Sequence, residues 1–290
     1  MFEGFEQLTI ETTGAVINVL KRGVGSPILL LHGYPQTHVM WHKVAPRLTQ
    51  EFSVVVPDLR GYGDSSKPSD GENHFGHSKR ATAQDQVEVM EQLGFKQFVV
   101  VGHDRGARVA HRLTLDHSDR VTKLAVLDIV PTHYVYHHVT KKLAIAYYHW
   151  FFLIQPAPFP ETLIGGDPEF YLNSVLGINR LKPHAITPEA FAEYLRCFRD
   201  PATVHATCED YRAAATIDLM HDDSDLDRKI SCPVLALWGE KGFLHKNYDV
   251  PAVWRERAVD VRGKALPCGH FIPEEAPEET LAELRNFLST

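Results

Sequence analysis

Short apolar runs rich in β-branched residues alternate along the chain with longer amphipathic segments. Such alternation predicts a mostly parallel β-sheet covered by helices on both faces. The runs ILLLHG, FVVVGHD and LAVLDIV lack polar alternation, so we expect them at the buried centre of the sheet. The predicted strands are AVINVL at 15–20, PILLLHG at 27–33, FSVVVPDLRG at 52–61, FVVVGHD at 98–104, KLAVLDIV at 123–130 and PVLALWGE at 233–240.

The pattern changes between residues 131 and 211. This stretch contains the aromatic run AYYHWFFLIQPAPFP and helix-like segments such as TPEAFAEYLRCF, without a strand signal of comparable strength. We interpret it as a helical cap inserted after the strand that ends at Asp128. The expected organisation is a core domain of residues 1–130 and 212–290 and a cap domain of residues 131–211, which would enclose a small apolar substrate.

Composition narrows the class of protein. The 290 residues are 44% hydrophobic and 23% charged, which is typical of a globular chain with a full core. A formal net charge of -7 and the lack of a basic run argue against a nucleic-acid partner. The start, MFEGFEQLTI, predicts neither a signal peptide nor a membrane span, so we expect a cytoplasmic protein. The four cysteines show no zinc-site spacing and are expected to be free buried thiols.

The segment GHDRG at 102–106 carries the most chemical information. It matches the nucleophile-elbow pattern, in which two glycines permit a sharp turn from strand to helix that projects the central side chain. Here the central residue is Asp104 instead of serine. A carboxylate in this place is suited to displacing a leaving group from an alkyl carbon, which forms an ester that water later cleaves. The alternative, an aspartate that only caps the helix, does not require both glycines.

Arg105 and Arg108 follow on the first turn of the predicted helix. Two positive groups near the positive end of the helix dipole are unfavourable unless an anion is present. Each guanidinium can grip a carboxylate through two hydrogen bonds, and a carboxylate held there would present its α-carbon to Asp104. We therefore expect a substrate of the two-carbon haloacid type.

Four segments carry a resemblance that extends over nearly the whole chain: LHGYPQ, PDLRGYGDSSKP, VGHDRGARVAHR and CGHFIPEEAPEE. Together they resemble the haloalkane dehalogenase and epoxide hydrolase branch of the α/β-hydrolases. In that branch tryptophan usually follows the nucleophile, whereas this chain has Arg105 at that position. In this respect the chain resembles the haloacetate dehalogenases, and specifically fluoroacetate dehalogenase. The resemblance implies the α/β-hydrolase fold, with a mostly parallel eight-stranded sheet and an inserted helical cap. It also implies a homodimer and no metal or organic cofactor.

The resemblance assigns the remaining catalytic residues. His270 lies where the family has its general base, beyond the last strand, and an imidazole can deprotonate water near neutral pH. Many α/β-hydrolases place the acid that orients this base three residues after the glycine of a motif like WGEK at 238–241, but that position here is Gly242. Asp128 is then the better candidate, as in the haloacetate dehalogenases, and Glu240 is the second one.

Two further groups follow from the resemblance. In the oxyanion hole, the backbone N–H groups of Tyr34 and Arg105 would face the Asp104 carbonyl and stabilise the tetrahedral intermediate of ester hydrolysis. Because departing fluoride is strongly hydrated, it needs several hydrogen-bond donors. The donors implied here are His149, Trp150 and Tyr211, although aromatic residues in a cap often only pack.

The sequence thus predicts a hydrolytic dehalogenase that converts a haloacetate and water to glycolate and halide, with fluoroacetate as the expected substrate. One alternative is an epoxide hydrolase, which needs two cap tyrosines; Tyr147, Tyr148 and Tyr211 are the candidates. Arg105 and Arg108 argue against it, because a neutral epoxide offers them nothing to bind. A second alternative is a hydrolase-like receptor for a small ligand, which the intact set of Asp104, His270 and Asp128 disfavours.

Overall fold

The computed structural model describes residues 1–178 and 181–289, whose strands form one eight-stranded sheet. In chain order the strands are β1 Glu6–Glu11, β2 Val16–Arg22, β3 Ser26–Leu31, β4 Phe52–Pro57, β5 Phe98–His103, β6 Val121–Leu127, β7 Val234–Gly239 and β8 Val261–Leu266. They lie side by side in the order β1-β2-β4-β3-β5-β6-β7-β8. Pairs β1–β2 and β2–β4 are antiparallel and the others are parallel, so the predicted mostly parallel sheet is confirmed.

The centre of the sheet consists of the strands with continuous apolar runs. In β3, residues 28–31 are completely buried, and β5 is buried along its whole length. These strands and β6 lie next to one another, as predicted. The two outermost strands, β1 and β8, were not among the predicted runs. Strand β8 has the sequence VRGKAL and is largely exposed, so it lacks the apolar pattern of a covered strand.

Helices cover the sheet and fill the long stretch between β6 and β7. Helix α3 begins directly after β5 and packs against β3, β5 and β6. All its residues from 105 to 115 are buried, including three arginines, which therefore need partners inside the protein. The helices are α1 Ala45–Leu48, α2 Lys79–Gln92, α3 Arg105–Asp116, α4 Thr132–His137, α5 Lys141–Ala146, α6 Tyr148–Leu153, α7 Phe159–Gly166, α8 Pro168–Leu176, α9 Pro188–Phe198, α10 Pro201–Ala215, α11 Ile217–Ser224, α12 Phe243–Asn247, α13 Val250–Arg255, α14 Ile272–Glu275 and α15 Pro277–Ser289, with 3₁₀ turns at His38–Trp41 and Glu72–His77.

The segment expected to form a cap is helical where the structure describes it. Helices α4 to α11 lie between β6 and β7 in the chain. Helix α10 continues through the expected domain boundary at 211/212, and α11 follows it immediately. Among the helices of the described ranges, none has the length and apolar composition needed to span a bilayer.

Because β3, β5, β6 and β7 are parallel, their carboxyl ends meet at one edge of the sheet. Asp104 follows β5, Asp128 follows β6, and the turn at 32–35 follows β3. Ligands of open α/β sheets bind at this edge. The topology thus brings together side chains that are far apart in the sequence.

Candidate active site

Asp104 lies in a sharp turn between β5 and α3. Its backbone has φ 48° and ψ -117°, a combination that residues with a side chain rarely adopt. Its side chain makes no capping hydrogen bond to the helix, so the alternative of a simple cap is wrong. A Cβ atom on Gly106 would lie 2.2 Å from the His32 carbonyl oxygen, and one on Gly102 would lie 2.5 Å from the Ala107 Cα. Both glycines are therefore required for the helix to approach β3 and β5 so closely.

The Asp104 carboxylate is buried and ionised. The backbone N–H of Tyr34 donates to its Oδ1 at 3.0 Å, which is one of the two predicted oxyanion-hole contacts. The other, from the Arg105 backbone N–H, is not formed in the described structure and stays a prediction. Burial alone would raise the pKa of Asp104, but the charges of His270 and Arg108 outweigh burial and help lower it to about 2.

His270 lies between two carboxylates. Its Nδ1 is 2.6 Å from Asp128 Oδ2, and its Nε2 is 3.8 Å from Asp104 Oδ2. The Gly239 backbone N–H donates to the second Asp128 oxygen at 2.9 Å and fixes that carboxylate. Glu240, the second candidate, is exposed and forms no hydrogen bond or ion pair with His270 among the described residues. Of the two acids considered, Asp128 is the one in contact with His270.

The pKa of His270 is higher than that of an ordinary histidine, so its protonated form is favoured. Burial acts to lower the pKa of His270, but the hydrogen bond and charge of Asp128, together with the charge of Asp104, outweigh burial and raise it. The imidazole can therefore hold a proton taken from water while its Nδ1–H stays bonded to Asp128.

Arg105 already has an anionic partner inside the protein. Its Nε donates to Asp210 Oδ2 at 2.7 Å, and its Nη2 donates to the Asp210 carbonyl oxygen at 2.7 Å. Within the described ranges its buried Nη1 has no hydrogen-bond partner. One edge of the guanidinium, that of Nε and Nη2, is therefore occupied, because a buried arginine requires a counter-charge. That Arg105 also binds a substrate carboxylate stays a prediction, and the edge that includes Nη1 is the one left for it.

Arg108 is held differently. Its Nη1 donates to the Val130 carbonyl oxygen and to the Thr132 hydroxyl, both at 3.0 Å. Its buried Nε lacks a partner among residues 1–178 and 181–289. The guanidinium carbon lies 4.6 Å from the Trp150 ring centre. Arg108 is thus oriented by neutral oxygens and an aromatic face and keeps an unpaired donor.

A cavity of about 160 Å³ opens above Asp104. A volume of this size fits a very small ligand. Arg105 and Tyr211 are not among its described lining residues; they are buried beside it, with the Arg105 guanidinium carbon 4.1 Å from the Tyr211 ring centre. The lining residues are Asp104, Arg108, Asp128, Ala146, Tyr147, His149, Trp150, Val175, His270 and Phe271.

The three predicted halide donors lie close together in the cap: His149 and Trp150 line this cavity, and Tyr211 is buried beside it. The His149 ring is 5.9 Å and the Trp150 ring 6.0 Å from the Tyr211 ring, measured between centres. Burial lowers the pKa of His149 to about 4, so the ring is neutral at pH 7 and has one N–H to donate. The buried Tyr211 hydroxyl has no partner in the part of the chain described. Buried hydroxyl groups usually have a hydrogen-bond partner, so Tyr211 keeps a free donor beside the cavity.

Two residues that were not predicted from the sequence, Asp210 and His103, support this site. His103 precedes the nucleophile, and its Nε2 lies 2.8 Å from the His270 carbonyl oxygen. Burial and the charge of His270 lower the pKa of His103 to about 4, so the neutral ring donates this hydrogen bond. The only sequence signal for His103 was its position at the end of a predicted strand, next to Asp104. No motif pointed to Asp210, which lies on α10 of the cap.

Comparison with known proteins agrees with this geometry. Residues 26–277 match the family model of the alpha/beta hydrolase fold. The chain belongs to the α/β-hydrolase family. It is 47% identical to a fluoroacetate dehalogenase from Burkholderia sp over all 290 residues, which cover 95% of that protein. It is 34% identical to a soluble epoxide hydrolase from Corynebacterium sp. (strain C12), over 91% of each chain.

A solved structure is also closely similar. The crystal structure of an α/β hydrolase from Nostoc sp PCC 7120 superposes with a TM-score of 0.98 at 64% identity, over 99% of each chain. The predicted fold and the predicted family are therefore confirmed.

The Asp128 contact makes a prediction about the pKa of His270. Replacing Asp128 with asparagine removes the negative charge that opposes burial and leaves only one acceptor oxygen, so the His270 pKa should fall by roughly 1 to 3 pH units. Titration of the His270 ring proton by NMR measures this change. Glu240→Gln is the matched control and should leave the titration unchanged. An unchanged His270 pKa in Asp128→Asn would show that another group charges the imidazole.

Proposed function

We propose that this chain is a haloacetate dehalogenase that converts fluoroacetate or a related haloacid and water to glycolate and halide. The observation that carries the proposal is the set of unpaired buried donors beside a buried ionised carboxylate: Arg105 Nη1, Arg108 Nε and the Tyr211 hydroxyl. Buried donors in folded proteins usually have a partner, and these three unpaired donors lie around one carboxylate. The 47% identity to a fluoroacetate dehalogenase supports the same conclusion.

In the first step, the two arginines bind the substrate carboxylate and Asp104 attacks the α-carbon. The new bond joins an Asp104 oxygen to carbon, while the carbon–halogen bond breaks and its electron pair leaves with the halide. His149, Trp150 and Tyr211 are proposed to hold the halide, because hydrogen bonds must replace its hydration in a dry site. A low pKa keeps Asp104 ionised and ready to attack.

In the second step, water hydrolyses the ester at Asp104. His270 takes a proton from water, and the resulting hydroxide adds to the ester carbonyl carbon. Asp128 stabilises the imidazolium through the Nδ1 hydrogen bond. The Tyr34 N–H, which already contacts the carboxylate, is proposed to stabilise the tetrahedral oxyanion, with the Arg105 N–H as its predicted second donor. Collapse breaks the bond between the Asp104 carbonyl carbon and the glycolate oxygen, which takes the proton from His270. Asp104 then loses the proton of its new carboxyl group to solvent and is a carboxylate again.

The alternative of an epoxide hydrolase draws support from the identity to the Corynebacterium enzyme and from Tyr147 and Tyr211 near the cavity. Two buried arginines beside the nucleophile favour an anionic substrate over a neutral epoxide. We therefore propose the haloacid reaction. The receptor alternative is disfavoured by the formed contacts of Asp104, His270 and Asp128.

We also propose limits for the cap domain and a cytoplasmic location for the protein. Since α10 crosses residue 211 and α11 ends at Ser224, we propose that the cap extends from residue 131 to 224. The four cysteines of the chain form no disulfide, and Cys197, Cys208 and Cys268 are buried, as expected of thiols in the cytoplasm.

The first test is halide release from fluoro-, chloro- and bromoacetate, beside a chloroalkane and styrene oxide. We expect turnover of the haloacetates and no turnover of the two neutral compounds. Asp104→Asn should lower halide release by about 10³-fold or more, provided that mass spectrometry shows no deamidation. Preferred turnover of styrene oxide would instead favour the epoxide hydrolase, and turnover of nothing would favour the receptor.

The second test traps the covalent intermediate. In His270→Asn the ester should form but not hydrolyse, so each enzyme molecule releases one halide and then stops. The peptide that contains Asp104 should gain the mass of a carboxymethyl group. An unmodified peptide after complete incubation would contradict the role of His270. In wild-type enzyme, a single turnover in heavy-oxygen water should label Asp104 before glycolate.

The third test concerns the proposed homodimer. Helices α7 and α8 of the cap expose Phe159, Leu163 and Phe170 by 55%, 57% and 70%. Because exposed apolar clusters mark contact surfaces, we expect Leu163→Glu with Phe170→Glu to dissociate a dimer in sedimentation equilibrium. Val24→Glu, at a residue that is 83% exposed outside the cap, is the control. A monomeric wild type would contradict the proposal.

A further inference from the structure

Two buried arginines flank the nucleophile, yet neither forms an ion pair with it. In the described structure no arginine nitrogen lies within 4.0 Å of the Asp104 carboxylate, whose contacts are the Tyr34 N–H and His270. Opposite charges one turn apart in a buried site attract strongly. Something must therefore hold Arg105 and Arg108 away from Asp104. For Arg108, the holding groups are Val130 and Thr132.

For Arg105, the holding group is Asp210. This carboxylate receives hydrogen bonds from Arg105 Nε at 2.7 Å and from the Tyr62 hydroxyl at 2.8 Å, and a short one from Lys79 Nζ. Asp210 and Lys79 are buried, and Arg105 is completely so. Lys79 also lies 3.6 Å from Asp218, so two cations and two carboxylates form one buried cluster.

The contacts divide the Arg105 guanidinium into two edges. The edge of Nε and Nη2 faces Asp210, whose side chain and backbone oxygens accept its hydrogen bonds. The opposite edge includes Nη1, the atom that lacks a partner among the described residues. Because the guanidinium is planar and rigid, occupation of one edge fixes the direction of the other.

We propose that Asp210 is a positioning residue that keeps Arg105 from pairing with the nucleophile and turns its free edge towards the substrate carboxylate. Tyr62 and Lys79 in turn hold Asp210. This inference rests on the proposed function and adds a cap residue to it. It explains how one small site keeps a reactive carboxylate and two arginines close together without neutralising the carboxylate.

The variant Asp210→Asn tests the proposal. Asparagine keeps one acceptor oxygen but lacks the negative charge that balances Arg105 and Lys79. The attraction between residue 210 and Arg105 is then weaker, so Arg105 should turn towards Asp104. We expect KM for chloroacetate to rise and kcat to fall, with kcat/KM lowered by about tenfold or more. Asp222→Asn is the matched control: Asp222 also bonds an arginine of α3, Arg112 Nη2 at 2.7 Å, and lies outside the cavity lining. Its kcat and KM should stay within about twofold of wild type, whatever its melting temperature.

A double-mutant cycle with Arg105→Lys separates positioning from a general loss of structure. If Asp210 acts through Arg105, the double variant should have nearly the kcat/KM of Arg105→Lys alone. Effects that multiply would overturn the proposal, as would wild-type kcat and KM in Asp210→Asn. Tyr62→Phe removes only one hydrogen bond to Asp210, so this variant replaces Asp210→Asn if the latter fails to fold. It should also raise KM, and an unchanged KM would overturn the proposal. If wild type and Asp210→Asn release halide equally well, the positioning role is overturned but the proposed function stands. If wild type releases no halide, the proposed function and the positioning role are both overturned.

Discussion

The site depends on the close approach of helix α3 to the ends of β3 and β5. Backbone atoms there are so near that Gly102 and Gly106 leave no room for a Cβ atom. This contact forces Asp104 into its unusual backbone conformation and places its carboxylate against the Tyr34 N–H. It also places the first turn of α3, with Arg105 and Arg108, under the cap. The geometry of the reacting carboxylate and of the groups around it thus follows from one steric constraint.

Once α3 is packed in this way, its charges must be compensated inside the protein. The three arginines of α3 have different partners. Arg105 pairs with a carboxylate of α10, and Arg108 uses neutral oxygens and the Trp150 ring. Arg112 pairs with Asp116, Asp222 and Asp225. Within the described ranges, Arg105 and Arg108 each keep a fully buried donor without a partner, whereas Arg112 keeps none that is fully buried.

Much of the fold could be predicted because the central strands carry an unbroken apolar pattern. The edge strands β1 and β8 could not, since an exposed strand shares its composition with a loop. The elbow at Asp104 was predictable because both glycines and the nucleophile lie within five residues. The contact between His270 and Asp128 was anticipated from the resemblance, and the structure places their side chains 2.6 Å apart.

The contact between Arg105 and Asp210 could not be predicted by the same means. The positive end of the helix dipole indicates that an anion should accompany Arg105 and Arg108. It does not indicate whether that anion is a substrate or a residue of the chain. Asp210 belongs to a helix of the cap whose position over α3 depends on tertiary packing. Partnerships between distant elements of this kind leave no local signal in a single sequence.

Helix α10 carries Asp210 and Tyr211 next to each other, one bonded to Arg105 and the other among the groups proposed for the halide. A displacement of this helix would therefore disturb recognition of both ends of a haloacid at once. The two halves of the molecule are not interchangeable modules. Grafting a cap from a relative to obtain a new leaving-group preference would also reset how the core holds the acid, unless the graft retained a carboxylate at residue 210.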